Sequence, residues 1–502
     1  MSAMPVSTIE FDDIQGLVRF GYKHLTQACF LLLRVRRRGA ARNWLAQAPV
    51  TSALGVQPPP RVALQVALSC AGLRALGVAD DIVDAFSPEF VAGMGSDPSR
   101  ARRLGDVGAS DPARWQWGAG DMQPHVMLLL YAVPGELEGW RQHVSAQCQA
   151  GFDVQACLAT NDLSPTEPFG FADGLTQPRL DWERRRAVQD RDLLAYTNTA
   201  CLGEFLLGYP NEYAGYTDRP LLDPARDAQS ALLPRAEDAP DQADLGRNGS
   251  YLVVRQLQQD VRGFWRFLDR QAGGDPTRRK QLAEAMVGRT MEGEPLVGRT
   301  HARIDGVPDG INAFTYRSDP QGLRCPLGAH IRRSNPRNAD LPPGAVGLLS
   351  RAIRMLGFNA AAREQDLVAS TRFHRLLRRG RDYGVRLSLD QALAEAPEAQ
   401  AGGDQVGLHF ICLNASIARQ FEFVQGAWLA GNTKFNALPG ESDPLLGQRE
   451  PGLDDNPIDV FSMPRAAGPD ARIEDLPPFV TVRGGAYFFL PGLRALRYLA
   501  TA

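Results

Sequence analysis

Residues 250–268 read SYLVVRQLQQDVRGFWRFL, an apolar β-prone run that is followed by a helical pattern. The run at 250–256 has the branched and aromatic residues that are enriched in strands. The residues after it put four apolar side chains at i, i+3, i+4 and i+7, on one face of a helix: Val261, Phe264, Trp265 and Leu268. The stretch therefore predicts a strand joined directly to a helix, the building unit of α+β domains.

The same pattern recurs on both sides of this stretch, in the first third of the chain and towards its end. Five further apolar runs predict strands: 28–35, 62–69, 125–133, 408–414 and 479–490. Residues 137–148 and 417–429 have helical spacing, and each follows one of these strands. Strand–helix units in two halves predict two related α+β domains, each an antiparallel sheet flanked by helices. We place the domains at 1–215 and 249–502, with residues 216–248, rich in Asp, Ala, Pro and Arg, as a surface insertion.

Composition excludes several classes of protein. The 502 residues carry 55 Lys and Arg against 57 Asp and Glu, so no basic field favours nucleic acid as a partner. Seven widely spaced cysteines without a CxxC pair predict neither a disulfide framework nor structural zinc, and reduced thiols favour a cytoplasmic protein. We also expect neither a signal peptide nor a membrane span, because the first residues are polar and acidic and no apolar stretch is long enough.

Familiar catalytic motifs do not occur in this sequence. The seven histidines form no HExxH pair, and GxSxG, GxxxxGK[ST] and a strand-linked GxGxxG do not occur. No motif therefore supports a catalytic zinc site, a hydrolase nucleophile elbow, a phosphate-binding loop or a dinucleotide-binding fold.

A glycine-flanked aspartate is the first unusual feature. Residues 169–178 read FGFADGLTQP, with Asp173 between Gly170 and Gly174. The glycines allow a tight turn that can approach a flat ligand, and an aspartate there could exchange protons with a small substrate. The alternative is a turn aspartate that caps its own backbone.

A histidine between small residues and arginines is the second. Residues 325–337 read CPLGAHIRRSNPR, and a neutral imidazole at His330 would be a good iron ligand. The nearby arginines would suit the carboxylates of a haem. Two alternatives stay open, namely a buried histidine bonded to backbone, and Cys325 as a thiolate ligand.

A basic run beside a glycine turn is the third, at residues 373–384, which read FHRLLRRGRDYG. The alternative is a solvated charged surface, which most such runs are.

Together these stretches resemble the dye-decolorising family of haem peroxidases, in its longer-chain branch. The GxxDG motif is present at 170–174, His330 lies at the position of the iron ligand, and Arg378 at that of the distal arginine. Five more stretches are similar and follow the family's order: DIQG at 13–16, GEFLLGYPNEY at 203–213, QFEFVQ at 420–425, DPLLG at 443–447 and FVTVRGGAYFFLPGL at 479–493. Each motif is weak, but eight in order from about residue 12 to the C-terminus are specific.

The resemblance implies two ferredoxin-like domains of the dimeric α+β barrel type. The first, 1–215, would carry the GxxDG motif, and the second, 249–502, would bind one haem b per chain. Hydrogen peroxide would be the oxidant, and a phenolic or dye-like aromatic molecule the reductant. We expect a monomer or a homo-oligomer. A haem-handling or iron-release protein with little turnover is the alternative.

The resemblance also implies residue roles. Asp173 would carry a proton between the peroxide oxygens, Arg378 would stabilise developing negative charge, and His330 would hold the iron. A carboxylate or amide behind His330 should strengthen its electron donation, and Glu422 and Asn414 are the candidates.

The residues expected to bind the cofactor are His330, Arg337, Arg332, Gly170, Phe171 and Gly174. Tyr383 and Trp428 are candidates to relay electrons from bulky reductants, although core aromatics are the more common interpretation of such residues.

Overall fold

The structure, a computed structural model, describes residues 8–184, 197–299, 310–337, 370–394, 405–431, 441–449 and 458–501. Its α-helices are α1 Gly16–Arg19, α2 Arg38–Gln47, α3 Cys70–Leu76, α4 Asp80–Asp84, α5 Pro88–Ala92, α6 Pro98–Leu104, α7 Leu137–Cys148, α8 Val261–Ala272, α9 Pro276–Val287, α10 His330–Ser334, α11 Ser370–Phe373, α12 Leu389–Leu393 and α13 Leu493–Thr501. Across these ranges, no helix combines the length and the apolar character that a bilayer crossing requires.

A nine-stranded antiparallel sheet organises the chain. Its strands are β1 Gln27–Val35, β2 Val62–Leu68, β3 Val126–Ala132, β4 Phe152–Ala159, β5 Ser250–Gln259, β6 Leu377–Arg378, β7 Arg381–Tyr383, β8 Gly407–Asn414 and β9 Val480–Leu490. The spatial order is β6–β8–β5–β9–β2–β3–β1–β4, with β7 also paired to β8. Strands β1–β4 and β5–β9 thus form two halves, which meet where Phe489 pairs with Leu68.

Both faces of the sheet are covered. In β1, Leu31 and Leu33 belong to one apolar cluster, whereas Phe30 and Leu32 belong to another. A strand that is buried on both faces has a continuous apolar sequence, which explains why these runs were recognisable. The predicted antiparallel sheet flanked by helices is confirmed.

Helix α8 forms where the sequence predicted it, and it also anchors a predicted functional segment. The Asp260 side chain caps it by accepting from Gly263 N, and it ends at Gly273, whose φ of +67° suits glycine. Its Phe264 packs against Phe169 with ring centroids 4.6 Å apart. The turn with Asp173 therefore begins from a fixed point in the core.

The predicted helix at 417–429 differs in type. Residues Ala418–Glu422 and Val424–Ala430 are π-helical, with Glu422 N donating to Ile417 O five residues back. The spacing of apolar residues did not distinguish an α-helix from a π-helix, because both bury one face of the segment.

The predicted insertion 216–248 is packed rather than loose. Strands Leu221–Leu222 and Ala243–Asp244 pair within it, and buried Arg219 binds Asp244 at 2.6 Å. Tyr498 of α13 donates to Asp227 at 2.7 Å, which ties the insertion to the C-terminal helix. The domain boundaries at 215 and 249 stay a prediction, since one sheet runs through both halves.

Among the residues that the structure describes, three two-stranded pieces lie outside the main sheet. They are Arg179–Leu180 with Thr199–Ala200, Leu221–Leu222 with Ala243–Asp244, and Phe461–Met463 with Ala471–Ile473.

Candidate active site

A cavity of about 570 Å³ brings the three principal predicted residues together, because Asp173, His330 and Arg378 all line it. Strands β5, β8 and β9 and the π-helical segment supply much of its apolar lining: Leu257, Leu408, Phe410, Val482, Val424 and Leu429. Cavities of this volume and lining hold cofactors or small molecules of similar size.

Asp173 and Arg378 form an ion pair at the cavity, with 3.6 Å between carboxylate Oδ1 and guanidinium Nη1. Their side chains are 45% and 39% exposed, so both can meet a ligand. Within the described ranges, the Asp173 carboxylate accepts no hydrogen bond from its own turn. The alternative of a self-capping turn aspartate is therefore not what the structure shows.

The turn around Asp173 depends on its glycines. Gly170 and Gly174 have φ values of +100° and +69°, which side chains rarely tolerate. Asp173 N donates to Pro165 O at 2.9 Å, which fixes the chain between the two glycines. Phe171 lines the cavity, whereas Gly170 and Gly174 shape the turn from outside the lining.

Gln177 connects this turn to the strand that carries the arginine. Its Oε1 accepts from Arg378 N at 2.9 Å, and its Nε2 donates to Arg378 O at 3.1 Å. Arg378 Nη2 also donates to Thr176 O at 3.3 Å. Two motifs about 200 residues apart in sequence are thus joined by reciprocal hydrogen bonds.

His330 is the first residue of α10, and its ring is oriented by a buried carboxylate. The Nδ1 atom lies 3.0 Å from Oδ2 of Asp443, which is completely buried. The other carboxylate oxygen of Asp443 accepts from Leu445 N and Leu446 N at 2.9 and 2.8 Å. Burial alone would raise the pKa of Asp443, but His330, the N–H of Leu446 and the charge of Arg333 hold it below its usual value.

The two predicted partners of His330 are wrong. Glu422 instead accepts from the Tyr487 hydroxyl at 2.8 Å and pairs with Arg100 at 3.1 Å. Asn414 donates to Cys412 Sγ at 3.8 Å. Asp443 occupies the position, because its backbone turn delivers a carboxylate directly behind the imidazole.

Replacing Asp443 by Asn tests this arrangement. Asn keeps the shape and can still accept from Nδ1, but it removes the negative charge that strengthens the imidazole as a ligand. We expect haem, the cofactor that the resemblance of the sequence implies, to bind about 10- to 100-fold more weakly, measured by its transfer to an excess of apomyoglobin. Glu422→Gln is the matched control, and equal losses in both variants would contradict the assignment of Asp443.

Comparison with known proteins decides the family. The multifunctional dye peroxidase DyP2 of an Amycolatopsis species is 30% identical over 453 residues, which cover 87% of this chain and 82% of that protein. The chain belongs to the dye-decolorising peroxidase family. A dye-decolorizing peroxidase of Exidia glandulosa is 27% identical, with 98% of this chain and 87% of that protein covered. No protein-family model matches the chain.

Solved structures confirm the fold class. The crystal structure of a fungal DyP-type peroxidase from Auricularia auricula-judae covers 99% of this chain with a TM-score of 0.70 at 23% identity. The two halves of the sheet are accordingly the two ferredoxin-like units of a DyP-type peroxidase. The cofactor of the family, haem b, is the cofactor of this chain.

The residues of the cavity fit haem. Asp443 holds Nδ1 of His330, and Nε2 makes no hydrogen bond in the described part of the chain, which leaves that atom for iron. The apolar lining described above suits a porphyrin ring. Cys325 does not fit as a rival ligand, because it lies outside the lining and burial raises the pKa of its thiol to about 12.

Two arginines of the cavity wall could hold the haem carboxylates. Arg337 lies over the Phe314 ring at 3.8 Å and donates to Phe314 O at 2.8 Å. Arg289, which the sequence did not single out, lines the same wall and donates to Asn312 Oδ1 at 2.8 Å. Burial, and then the charge of Arg337, lower the pKa of Arg289 to about 10. A neighbouring anion would relieve that repulsion.

Arg332 is not brought to the cavity. It is 1% exposed, pairs with Asp319 at 3.2 Å and donates to Cys325 O at 2.7 Å. It braces the loop that leads to α10.

The two aromatic residues considered as relays do not line the cavity either. Tyr383 stacks on His409 with centroids 4.5 Å apart, and Trp428, which is 5% exposed, contacts Phe423 and His374. Such packing is typical of core aromatics, and their relay role stays a prediction.

Proposed function

We propose that Asp173, Arg378 and His330 are the working residues of this haem peroxidase. The observation that carries the proposal is one cavity lined by the Asp173–Arg378 ion pair and by an imidazole that Asp443 orients. Haem, when bound, supplies the redox centre at which hydrogen peroxide is reduced and the electrons of the reductant are received. His330 Nε2 would hold its iron, and Arg337 and Arg289 would pair with its carboxylates.

Asp173 moves the proton. When the O–O bond of hydrogen peroxide is cleaved unevenly, a proton must pass from one oxygen to the other, which then leaves as water. Of the ion pair, only the carboxylate can accept it, because a guanidinium stays protonated. The Asp173 side chain lines the cavity and is about half exposed, so a small ligand in the cavity can meet it.

Arg378 supplies fixed positive charge. Gln177 holds its backbone, and Thr176 O and the Asp173 carboxylate hold its guanidinium, so the guanidinium needs little reorganisation when negative charge develops on the departing oxygen. A preorganised donor of this kind stabilises a transition state more than water does.

Arg378→Leu should slow the reaction with peroxide by roughly 10²- to 10³-fold while haem content stays unchanged. Rapid mixing of the ferric enzyme with peroxide, followed at the Soret band, measures that rate. Arg381→Leu is the matched control, since Arg381 donates to Tyr22 O and Leu25 O and lies outside the cavity lining. A loss of similar size in the control would remove Arg378 from the mechanism.

The reductants that we propose are phenols and dye-like aromatic molecules. A dye-decolorizing peroxidase of the same fold has been solved as a complex with 2,6-dimethoxyphenol, and the aromatic residues Phe171 and Phe410 line the cavity of this chain. Purified enzyme should oxidise 2,6-dimethoxyphenol and bleach a dye with saturable dependence on peroxide. A haem spectrum without turnover would instead indicate a haem-handling or iron-release protein.

A cytoplasmic location is also part of the proposal. All seven cysteines are free thiols, as a reducing compartment would keep them. Assembly as a monomer or a homo-oligomer stays a prediction, which light scattering of the holoenzyme would decide.

A further inference from the structure

Glu167 precedes the turn that carries Asp173, and none of the roles above uses it. Its carboxylate accepts hydrogen bonds from Phe169 N and Phe171 N, both at 3.0 Å. The Gln259 side chain, at the end of β5, donates a third at 2.9 Å. All three partners are N–H donors, so each bond requires an oxygen acceptor at Glu167.

The backbone of Glu167 closes the same turn from the other side. Its N–H donates to Phe171 O at 2.9 Å, and its carbonyl accepts from Gly170 N at 2.8 Å. Residue 171 is therefore held by Glu167 through two hydrogen bonds and residue 170 through one, and Asp173 follows two residues after Phe171. Through Gln259, this arrangement is anchored to β5, a strand that also supplies Leu257 to the cavity wall.

We infer that Glu167 is a positioning residue for the reaction with peroxide: it holds residues 169–173 against β5 so that the Asp173 carboxylate stays beside Arg378. The inference rests on the proposed role of Asp173. Gly170 and Gly174 leave the turn with little stiffness of its own, because glycine restricts the backbone least. Glu167 therefore adds an anchor in β5 to the hydrogen bond by which Asp173 N holds Pro165 O.

The shifted pKa of Glu167 and its place in the cavity lining agree with a role in positioning Asp173. Burial and, to a smaller extent, the charge of Asp173 raise the pKa of Glu167 to about 7, even though the three hydrogen bonds lower it. Glu167 also lines the cavity, next to the pair that it would position.

Glu167→Gln is the central variant. The glutamine oxygen can satisfy Phe169 N and Gln259, but its amide nitrogen then faces the N–H of Phe171, two donors that repel each other. We expect the peroxide rate to fall between about 10- and 100-fold, since a misplacement of about 1 Å costs on the order of 100-fold. A crystal structure of the variant should show an Asp173–Arg378 separation longer than the 3.6 Å between Oδ1 and Nη1.

A double-mutant cycle with Asp173→Asn distinguishes positioning from a general structural effect. If Glu167 acts through Asp173, Glu167→Gln should cost nothing further once residue 173 can no longer carry a proton. Losses that multiply, or an unchanged peroxide rate in Glu167→Gln alone, would overturn the positioning role and leave the role of Asp173 intact. An unchanged rate in Asp173→Asn alone would overturn both.

Glu204→Gln is the control for replacing an enclosed carboxylate. Burial likewise raises the pKa of Glu204 to about 7, and its carboxylate pairs with Arg419 at 3.3 Å outside the cavity lining. We expect this variant to lower the melting temperature without changing the peroxide rate. An equal fall of that rate in both variants would overturn the inference.

Discussion

Asp173→Asn is expected to slow the reaction with hydrogen peroxide by about 10²- to 10⁴-fold, the range that a positioned proton carrier contributes. The amide has nearly the same shape as the carboxylate, and it can still lie beside Arg378. It cannot accept a proton from the peroxide, so only that function is removed. Rapid mixing under pseudo-first-order conditions, followed at the Soret band, measures the change.

Haem content must be determined alongside the rate, because a slow reaction caused by lost haem would say nothing about proton transfer by Asp173. The variant should bind haem as the parent does, since Asp173 is not an iron ligand in this proposal. Asp162→Asn, the same chemical change at an exposed residue that leads towards the turn, should leave the rate unaltered. A parental rate in Asp173→Asn would assign proton transfer to another group or to water.

The strands that the sequence predicted were recognisable because burial on both faces of the sheet makes their sequences continuously apolar. Strand β5 lies between β8 and β9 with an apolar cluster on each face, so Leu252, Val253 and Val254 are all apolar. Helix α8 was predictable for a related reason, since its single buried face repeats with the helical period.

Contacts between distant polar residues could not be predicted in the same way. His330 and Asp443 are 113 residues apart, and nothing in either segment fixes their distance. A signal did exist, because DPLLG at 443–447 was one of the stretches that resembled the family. An aspartate whose carboxylate accepts from the backbone N–H groups two and three residues later, here those of Leu445 and Leu446, is typical of a turn that holds its side chain rigid.

Glu167 and Arg289 were missed because single charged residues carry no pattern. Their importance comes from what surrounds them, three N–H donors around Glu167 and a second guanidinium near Arg289. Arg332 shows the opposite error, since a basic residue close to a motif faced Asp319 rather than the cavity. Sequence order therefore predicted the segments of the site better than it predicted which side chains point inward.

His330→Ala should abolish stable haem binding, the largest change expected of any single substitution in this chain. Nε2 of His330 is the nitrogen left for iron, and without it the cavity holds a porphyrin only through its apolar walls and arginines. The purified variant should lack the Soret absorption of the parent after expression with ample iron. Added imidazole should restore part of that absorption, because the removed side chain leaves space for it.

His374→Ala is the decisive comparison, since His374 lines the same cavity and burial lowers its pKa to about 4, which keeps it neutral as an iron ligand would be. Its Nδ1 faces the Arg419 carbonyl, whereas that of His330 faces the Asp443 carboxylate, and a carboxylate makes the stronger ligand of the two imidazoles. We therefore expect His374→Ala to keep its haem. Retention in His330→Ala together with loss in His374→Ala would transfer the iron to His374 and leave Asp443 without its proposed role.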